Sequence, residues 1–367
     1  METEIKGSAY TSMTEGLNNR AMKIAENEIL GCFRVLLGPV GNVCSLSPLL
    51  YKAVCEKQEF GGVAVGTVVA LKVLPTHGDA RNEYAQLQER VASLWNLSHH
   101  GIEKYHGCFP VYGIFGDRLV LVSEWLEGES LKDCLLRNPQ GIGADEVLRV
   151  GAQLLSALTY LSARGIVHRD IKPTNIFLSK DGGVKLVGLD RSSFDLNMEV
   201  NEDACPVGTF NYMAPDFLSS GFHGDVQSDI FSLGVCLHEM LSGQLPYRKE
   251  AIGIKTIDGR EQLRQRTECA DAIQIDKRID EILIGAVEVL EKALRMNREE
   301  RYLTFPEFAS AYNGIRRRKM PQDEDGKSVS LMPSASRLIS RAVSAATAVV
   351  RVAGKICKPM PLARAEV

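Results

Sequence analysis

A two-lobed α+β fold is predicted by the order of the apolar patterns along the chain. Short apolar stretches typical of β-strands come first, at residues 32–37, 49–55, 67–74 and 119–123. One stretch with helical spacing, residues 83–97, interrupts them, and from about Leu131 onward the pattern is mainly helical. Strands followed by helices indicate a small antiparallel-sheet lobe with one main helix and a larger, mainly helical lobe.

Each early element follows from its own residues. Residues 32–37 are apolar and run into the turn-like sequence Gly-Pro-Val-Gly, whereas residues 67–74 are rich in Val and apolar on both faces, which indicates a buried strand. In the helix, apolar residues recur on one side at Leu87, Val91, Leu94 and Leu97.

The composition is ordinary for a globular protein and gives no general attraction to nucleic acid. The 367 residues are 45% hydrophobic and 24% charged, with a net charge of -3. The nine cysteines contain no Cys-x-x-Cys pair, so neither a zinc site nor a disulfide framework is predicted. Residues 1–30 form a polar leader without the apolar run of a signal peptide, and no stretch has the ~18 apolar residues of a membrane span. We therefore expect a cytoplasmic protein without a nucleic-acid partner.

The most specific signal is the sequence His-Arg-Asp-Ile-Lys-Pro-Thr-Asn at residues 168–175. It resembles the catalytic loop of protein kinases, His-Arg-Asp-x-x-x-x-Asn, in every fixed position. These positions are His168, Arg169, Asp170 and Asn175. Lys172 and Pro173 are similar to the serine/threonine branch. On these residues the chain resembles the eukaryotic-type protein kinase superfamily, which implies the bilobal kinase fold.

The resemblance extends over about residues 32–313 in the family's order. Val69-Ala70-Leu71-Lys72 matches the third-strand lysine motif. Glu124-Trp125-Leu126 looks like the hinge whose backbone holds adenine, with Ser123 at the gatekeeper position. The resemblance further implies structural roles for Asp216 at the end of the activation segment, for its ion-pair partner Arg301, and for Asp229, which braces the catalytic loop.

These motifs divide the chain into three parts. Residues 1–30 are the leader, 31–316 the kinase domain, and 317–367 a linker with a C-terminal tail. Within the domain, residues 31–123 form the small lobe and 124–316 the hinge and large lobe.

The family likeness implies phosphoryl transfer from ATP with Mg²⁺ or Mn²⁺. Asp170 would orient the substrate hydroxyl, and Lys172 would neutralise charge on the transferred phosphate. Asn175 would give an amide oxygen to the metal, and Lys72 would hold the α- and β-phosphates.

The first departure from the family is Gly188, which stands thirteen residues after Asn175 where the family has its metal-binding aspartate. Glycine offers no side-chain ligand. Asp190 lies two residues further on and is the candidate substitute metal ligand, the alternative being an ordinary loop carboxylate. Leu189, in the family's Phe position, is expected to fill an apolar slot between the lobes.

The second departure lies in the phosphate-covering loop. Gly38 and Gly41, followed by Val43, match only the later part of the family's G-x-G-x-x-G-x-V. If Tyr51-Lys52-Ala53 is the family's second strand, Leu50 rather than Val43 caps the adenine. Fewer glycines leave fewer backbone N–H groups able to approach phosphates closely.

The third departure concerns the helix that supplies a glutamate to Lys72 in the family. Alignment on His99 puts Arg90 at that position, and Glu89 is one residue away, about 100° around the helix. Either a local shift brings Glu89 to Lys72, or Lys72 lacks a helix partner.

Regulation is predicted at the activation segment and at the tail. Arg169 beside the catalytic Asp implies an anion-anchored loop, with Ser192, Ser193 and Thr209 as candidate phosphorylation positions. Residues 328–365 carry six basic residues and no acidic one, in the pattern of a basic amphipathic helix. Such a helix contacts a membrane surface or a partner groove, the alternative being a tail docked on its own domain.

Two functions from different classes remain open at this stage. The intact catalytic loop favours a divergent serine/threonine kinase that phosphorylates proteins in signalling, with impaired or unconventional metal handling. Gly188, Arg90 and the reduced glycine loop favour a pseudokinase that binds nucleotide or a partner as a scaffold.

Overall fold

The computed structural model describes residues 24, 27–40, 49–57, 59–76, 79–112, 117–191, 211–218, 224–247 and 273–318. Most of the leader and nearly all of the linker and tail lie outside these ranges. The same holds for the predicted site residues Gly41, Val43, Ser192, Ser193 and Thr209. Within the described ranges, no helix is both long and apolar enough to cross a membrane.

The small lobe contains a six-stranded antiparallel sheet. Its strands are β1 (Ile29–Leu30), β2 (Phe33–Val40), β3 (Leu49–Cys55), β4 (Val68–Pro75), β5 (Tyr105–Val111) and β6 (Arg118–Glu124). Their order in the sheet is β1-β2-β3-β4-β6-β5. The four predicted strands correspond to β2, β3, β4 and β6. The sequence did not predict β5, because its Gly107 and Pro110 lower strand propensity.

The one main helix of this lobe, α1 (Ala80–Trp95), begins where Asp79 accepts a hydrogen bond from the Arg81 N–H. Leu87, Val91 and Leu94 are buried on its inner face, at the spacing that the sequence predicts. Leu97 follows after the helix has ended.

The large lobe is mainly helical. Its helices are α2 (Leu131–Arg137), α3 (Ala144–Ser162), α4 (Val226–Ser242), α5 (Ala286–Ala293) and α6 (Phe305–Asn313). Its short strands are β7 (Gly128–Ser130), β8 (Ile176–Ser179), β9 (Val184–Leu186), β10 (Leu283–Ile284) and β11 (Arg316–Arg317). Residues 228–240 of α4 are all buried, which makes α4 the central helix of the lobe. The predicted bilobal α+β kinase fold is confirmed.

The described residues form two apolar cores, one within the small lobe and one shared by both lobes. One lies inside the small-lobe sheet and includes Phe33 and Tyr51. The other joins α1 and β5 to the large lobe, so that Leu94 and Leu189 belong to the same cluster as Phe231. Because Leu189 is fully buried in this shared core, the chain segment after β9 is tied to the small-lobe helix.

A buried ion pair joins the segment before α4, at Asp216, to the segment before α6, at Arg301. Arg301, whose side chain is fully enclosed, donates to Asp216 over 2.6 Å. The same guanidinium donates to the backbone oxygens of Arg295 and Met296. An arginine enclosed in this way needs its counter-charge.

We expect Asp216→Ala to lower the free energy of unfolding by about 3 kcal/mol, because it leaves the Arg301 charge buried without its carboxylate. Glu56→Ala is the control, since the Arg34–Glu56 pair is exposed and contributes less than about 1 kcal/mol. Denaturant unfolding measures both variants. Equal losses would contradict the structural role of the Arg301–Asp216 pair.

Candidate active site

The catalytic loop, residues 168–175, lies between α3 and β8, and a side chain of α4 hydrogen-bonds to its backbone. Asp229 of α4 accepts the backbone N–H groups of His168 at 2.7 Å and of Arg169 at 2.8 Å. Arg169 has a φ of 65°, a conformation that non-glycine residues rarely adopt, and the brace stabilises it. Burial raises the pKa of Asp229 to about 7, whereas the two N–H donors favour its ionised form.

The loop presents Asp170 between a cation and an amide. Lys172 Nζ lies 2.8 Å from one oxygen of Asp170, and Asn175 Nδ2 lies 2.8 Å from the other. Asn175 Nδ2 also donates to the Asp170 carbonyl oxygen at 2.7 Å. These bonds fix the orientation of the Asp170 carboxylate and place the side-chain amide of Asn175 beside Gly188.

The backbone after β9 is held at each successive residue. The Val187 N–H donates to the Asn175 carbonyl oxygen, and His168 Nε2 lies 3.1 Å from the Val187 carbonyl oxygen. The next two N–H groups, of Gly188 and Leu189, bond to the side chains of Glu103 and Tyr105. Gly188 has a φ of 86°, and a Cβ placed on it would lie 3.2 Å from Asn175 Oδ1. Glycine suits this position because it adopts the left-handed backbone without strain and leaves room for the Asn175 side chain.

Asp190, the candidate metal ligand, is the partner of Lys72. Both of its carboxylate oxygens lie 2.8 Å from Lys72 Nζ. The Asp190 side chain is only 6% exposed and that of Lys72 23%, so the pair is largely shielded from solvent. Because both of its oxygens bond to the Lys72 ammonium, the Asp190 carboxylate is not free to bind a metal.

Helix α1 contributes a cation to this region rather than a carboxylate. Arg90 Nη1 lies 3.4 Å from the Asp190 carbonyl oxygen, and Glu89 is exposed on the helix surface. The predicted alternative in which Glu89 reaches Lys72 is therefore not the arrangement in this structure.

Glu103, just before β5, is a site residue that sequence reasoning missed. Its carboxylate accepts hydrogen bonds from the Tyr105 hydroxyl at 2.7 Å and from the Gly188 N–H at 3.2 Å. Burial raises the pKa of Glu103, while hydrogen bonds from Ser123, Tyr105 and Gly188 and the nearby Lys72 charge lower it. No motif marks this position, because the partners of Glu103 come from four separate segments.

The remaining predicted nucleotide positions line the sheet and hinge. Lys72 lies opposite Leu50 in β3 and Leu121 in β6, and Ala70 lies opposite Ser123. The hinge residues Glu124 and Leu126 are partly buried. A Cβ on Gly38 would lie 2.2 Å from the Tyr51 ring, so packing against Tyr51 alone is enough to require glycine there.

A conventional metal site does not fit these residues as they stand. The candidate donors are the Asn175 amide oxygen and Asp190, which is engaged with Lys72. Among the described residues, no group of three or more His, Cys, Asp and Glu side chains is placed to hold a metal ion. Mg²⁺ in kinase-like sites is bound through one or two carboxylates together with substrate phosphates. Here the carboxylate is available only if the Lys72–Asp190 pair opens.

The chain is similar in sequence to known protein kinases. A protein kinase domain model matches residues 61–311. Serine/threonine-protein kinase 36 of Pongo abelii is 33% identical over 187 residues, or 50% of this chain and 14% of that protein. A probable serine/threonine-protein kinase PknB of Lactococcus lactis is 30% identical over 181 residues, covering 49% and 28%. Human serine/threonine-protein kinase PAK 4 is 32% identical over 185 residues, covering 50% and 30%. The match therefore spans less than a third of each of these relatives.

We expect Gly188→Ala to destabilise the protein more than Gly66→Ala. The two glycines have nearly the same φ, 86° and 89°, but no atom lies within 4 Å of a Cβ on Gly66. The conformational cost is about 1 kcal/mol at each position, and the contact with Asn175 adds about 1 kcal/mol at Gly188. Thermal unfolding of both variants measures the difference, and equal shifts would show that Asn175 yields freely.

Proposed function

Because the chain belongs to the protein kinase family, we propose that it is a divergent serine/threonine protein kinase. It transfers the γ-phosphate of ATP to protein hydroxyls, with unconventional metal handling. The observation that carries the proposal is the Asp170 carboxylate held between Lys172 and Asn175 on a loop braced by Asp229. A carboxylate oriented in this way is suited to accept the hydrogen bond of a substrate hydroxyl and to direct its oxygen at the γ-phosphate.

The roles of the residues follow from their positions. Asp170 accepts the hydrogen bond of the substrate hydroxyl and orients its oxygen, and Lys172 neutralises charge on the moving phosphate. Adenine packs between Ala70 and Leu50 and bonds to the backbone of the hinge. Lys72 holds the α- and β-phosphates, with Asp190 setting the position of its ammonium group.

A divalent metal, when bound, supplies positive charge that offsets the charge of the phosphates. The Asn175 oxygen would be its protein donor, and Asp190 would be a second donor only after leaving Lys72. A site with one amide oxygen and a carboxylate in competition binds Mg²⁺ weakly. This competition is what we mean by unconventional metal handling.

A pseudokinase is the second candidate, and one specific observation favours it. Asp190 and Lys72 neutralise each other, and Arg90 holds the Asp190 backbone instead of supplying a helix carboxylate. If the pair stays closed when nucleotide binds, the cleft holds nucleotide without a metal and acts as a scaffold for a protein partner.

We expect the purified 367-residue chain to transfer phosphate from labelled ATP. Asp170→Asn should lower the rate by roughly a hundredfold or more, because a positioned acid–base group contributes about 10²–10⁴ in rate. Gly188→Asp is expected to raise the rate by about a hundredfold, because it returns a metal carboxylate beside Asn175. Asp tolerates the left-handed backbone better than most residues.

The two candidates separate in the same assay, run in Mg²⁺ and in Mn²⁺. Transfer by the wild type that is lost in Asp170→Asn supports the kinase. A silent wild type with an active Gly188→Asp variant supports a pseudokinase disarmed at one position. Silence in all three proteins contradicts the kinase proposal.

We further expect ATP to raise the melting temperature more in Mg²⁺ than in EDTA, because the proposed kinase would bind the metal together with the nucleotide phosphates. An equal rise in EDTA would favour the pseudokinase, whose site holds nucleotide without a metal. Lys72→Met is the control that removes the phosphate-binding cation, and it should abolish the shift under both conditions. A shift that requires Mg²⁺ would show that Asp190 leaves Lys72 readily.

A further inference from the structure

Glu103 is a carboxylate that no sequence motif explains, and its hydrogen bonds lead to the segment that follows β9. Its Oε2 accepts the Tyr105 hydroxyl at 2.7 Å and the Gly188 N–H at 3.2 Å. Ser123 is a third hydrogen-bond partner. The partners are themselves enclosed, with Tyr105 only 1% and Ser123 3% exposed.

Glu103 is itself partly buried, and a carboxylate among such enclosed partners loses part of its hydration. Burying an ionised acid lowers stability unless hydrogen bonds replace its lost water, and an apolar side chain of similar size avoids the problem. The three donors around Glu103 supply these bonds. Through the Tyr105 hydroxyl and the Gly188 N–H, Glu103 is connected to the segment that follows β9.

Two of the three bonds lead to the backbone that precedes Asp190. The Gly188 N–H bonds to Glu103 directly, and the Leu189 N–H donates at 2.9 Å to the Tyr105 hydroxyl, which in turn donates to Glu103. One carboxylate thus fixes two successive N–H groups. With Leu189 fully buried, the next side chain along the chain is directed to Lys72.

We propose that Glu103 is a positioning residue that, through Tyr105 and the Gly188 N–H, keeps Asp190 on Lys72. Glu103 thereby supports Asp190, which takes for Lys72 the orienting part that the family assigns to a helix glutamate and that Arg90 cannot fill. The proposal rests on the assignment of Lys72 as the nucleotide-binding lysine under the proposed function, but not on catalysis.

Glu103 has a second way of affecting Lys72, which the test must separate from the first. The Lys72 ammonium lies near enough to lower the pKa of Glu103, so its negative charge acts on Lys72 directly as well. Gln at position 103 removes the charge but keeps an acceptor oxygen for Tyr105 and Gly188, while the Ser123 hydroxyl can turn to accept from the new amide. Val removes both.

The experiment measures the rate at which Lys72 reacts with an amine-acylating reagent in the absence of nucleotide. Peptide mass spectrometry follows the product, normalised to the exposed Lys180 of the same molecule. Asp190→Asn sets the rate for an unpaired Lys72. Glu239→Gln is the control for disturbing an enclosed acid, because Glu239 accepts the Tyr212 hydroxyl at 2.6 Å in the large lobe.

We expect Glu103→Val and Tyr105→Phe each to raise the Lys72 rate roughly fivefold, the change that corresponds to about 1 kcal/mol or one net hydrogen bond. Glu103→Gln and Glu239→Gln should stay within about twofold of the wild type. Unchanged rates in the folded Glu103→Val and Tyr105→Phe variants would overturn the proposal. A Gln variant that behaves like Val would also overturn it, because the action would then be through charge. Since no ATP is used, these outcomes are independent of whether phosphate transfer is detected.

Discussion

The ion pair between Lys72 and Asp190 is the interaction on which the rest of the cleft depends. It joins an interior strand of the small-lobe sheet to the segment that follows β9 in the large lobe. Because Asp190 is almost fully enclosed, neither charge is easily left without the other. A closed pair keeps Lys72 in place but withholds a carboxylate from any metal, and an open pair reverses both effects.

The departures from the family form one consistent set around this pair. Gly188 has no carboxylate, and its left-handed backbone brings Asp190 into reach of Lys72. Arg90, where the family has a glutamate, lies against the Asp190 carbonyl oxygen and would repel Lys72 if it took the glutamate's place. In this protein the carboxylate that orients Lys72 is that of Asp190, after β9, whereas in the family it comes from the small-lobe helix. Beneath it, the catalytic loop keeps the bonds that orient Asp170.

What the sequence predicted well depends on local pattern or on fixed spacing. Leu87, Val91 and Leu94 define the buried face of α1 because helical periodicity is a local property. The catalytic-loop residues are found because the family spaces them along one short segment. Glu103 and Tyr105 escaped prediction, since their roles arise only when β5 lies beside the residues after β9. The partner of Lys72 escaped for the same reason: the pair joins residues 118 positions apart, and spacing within α1 could not reveal it.

A double-mutant cycle measures whether Lys72 and Asp190 stabilise each other in the folded protein. The free energies of unfolding of Lys72→Met, Asp190→Asn and the double variant give the coupling between the two side chains. We expect a favourable coupling of about 1–3 kcal/mol for this pair, because the two charges are in contact and have little exposure. A parallel cycle with Glu89→Gln should show additive effects, because Glu89 is exposed on α1. Additive effects for Lys72 and Asp190, with coupling appearing instead for Glu89, would show that Lys72 pairs with the helix carboxylate and not with Asp190.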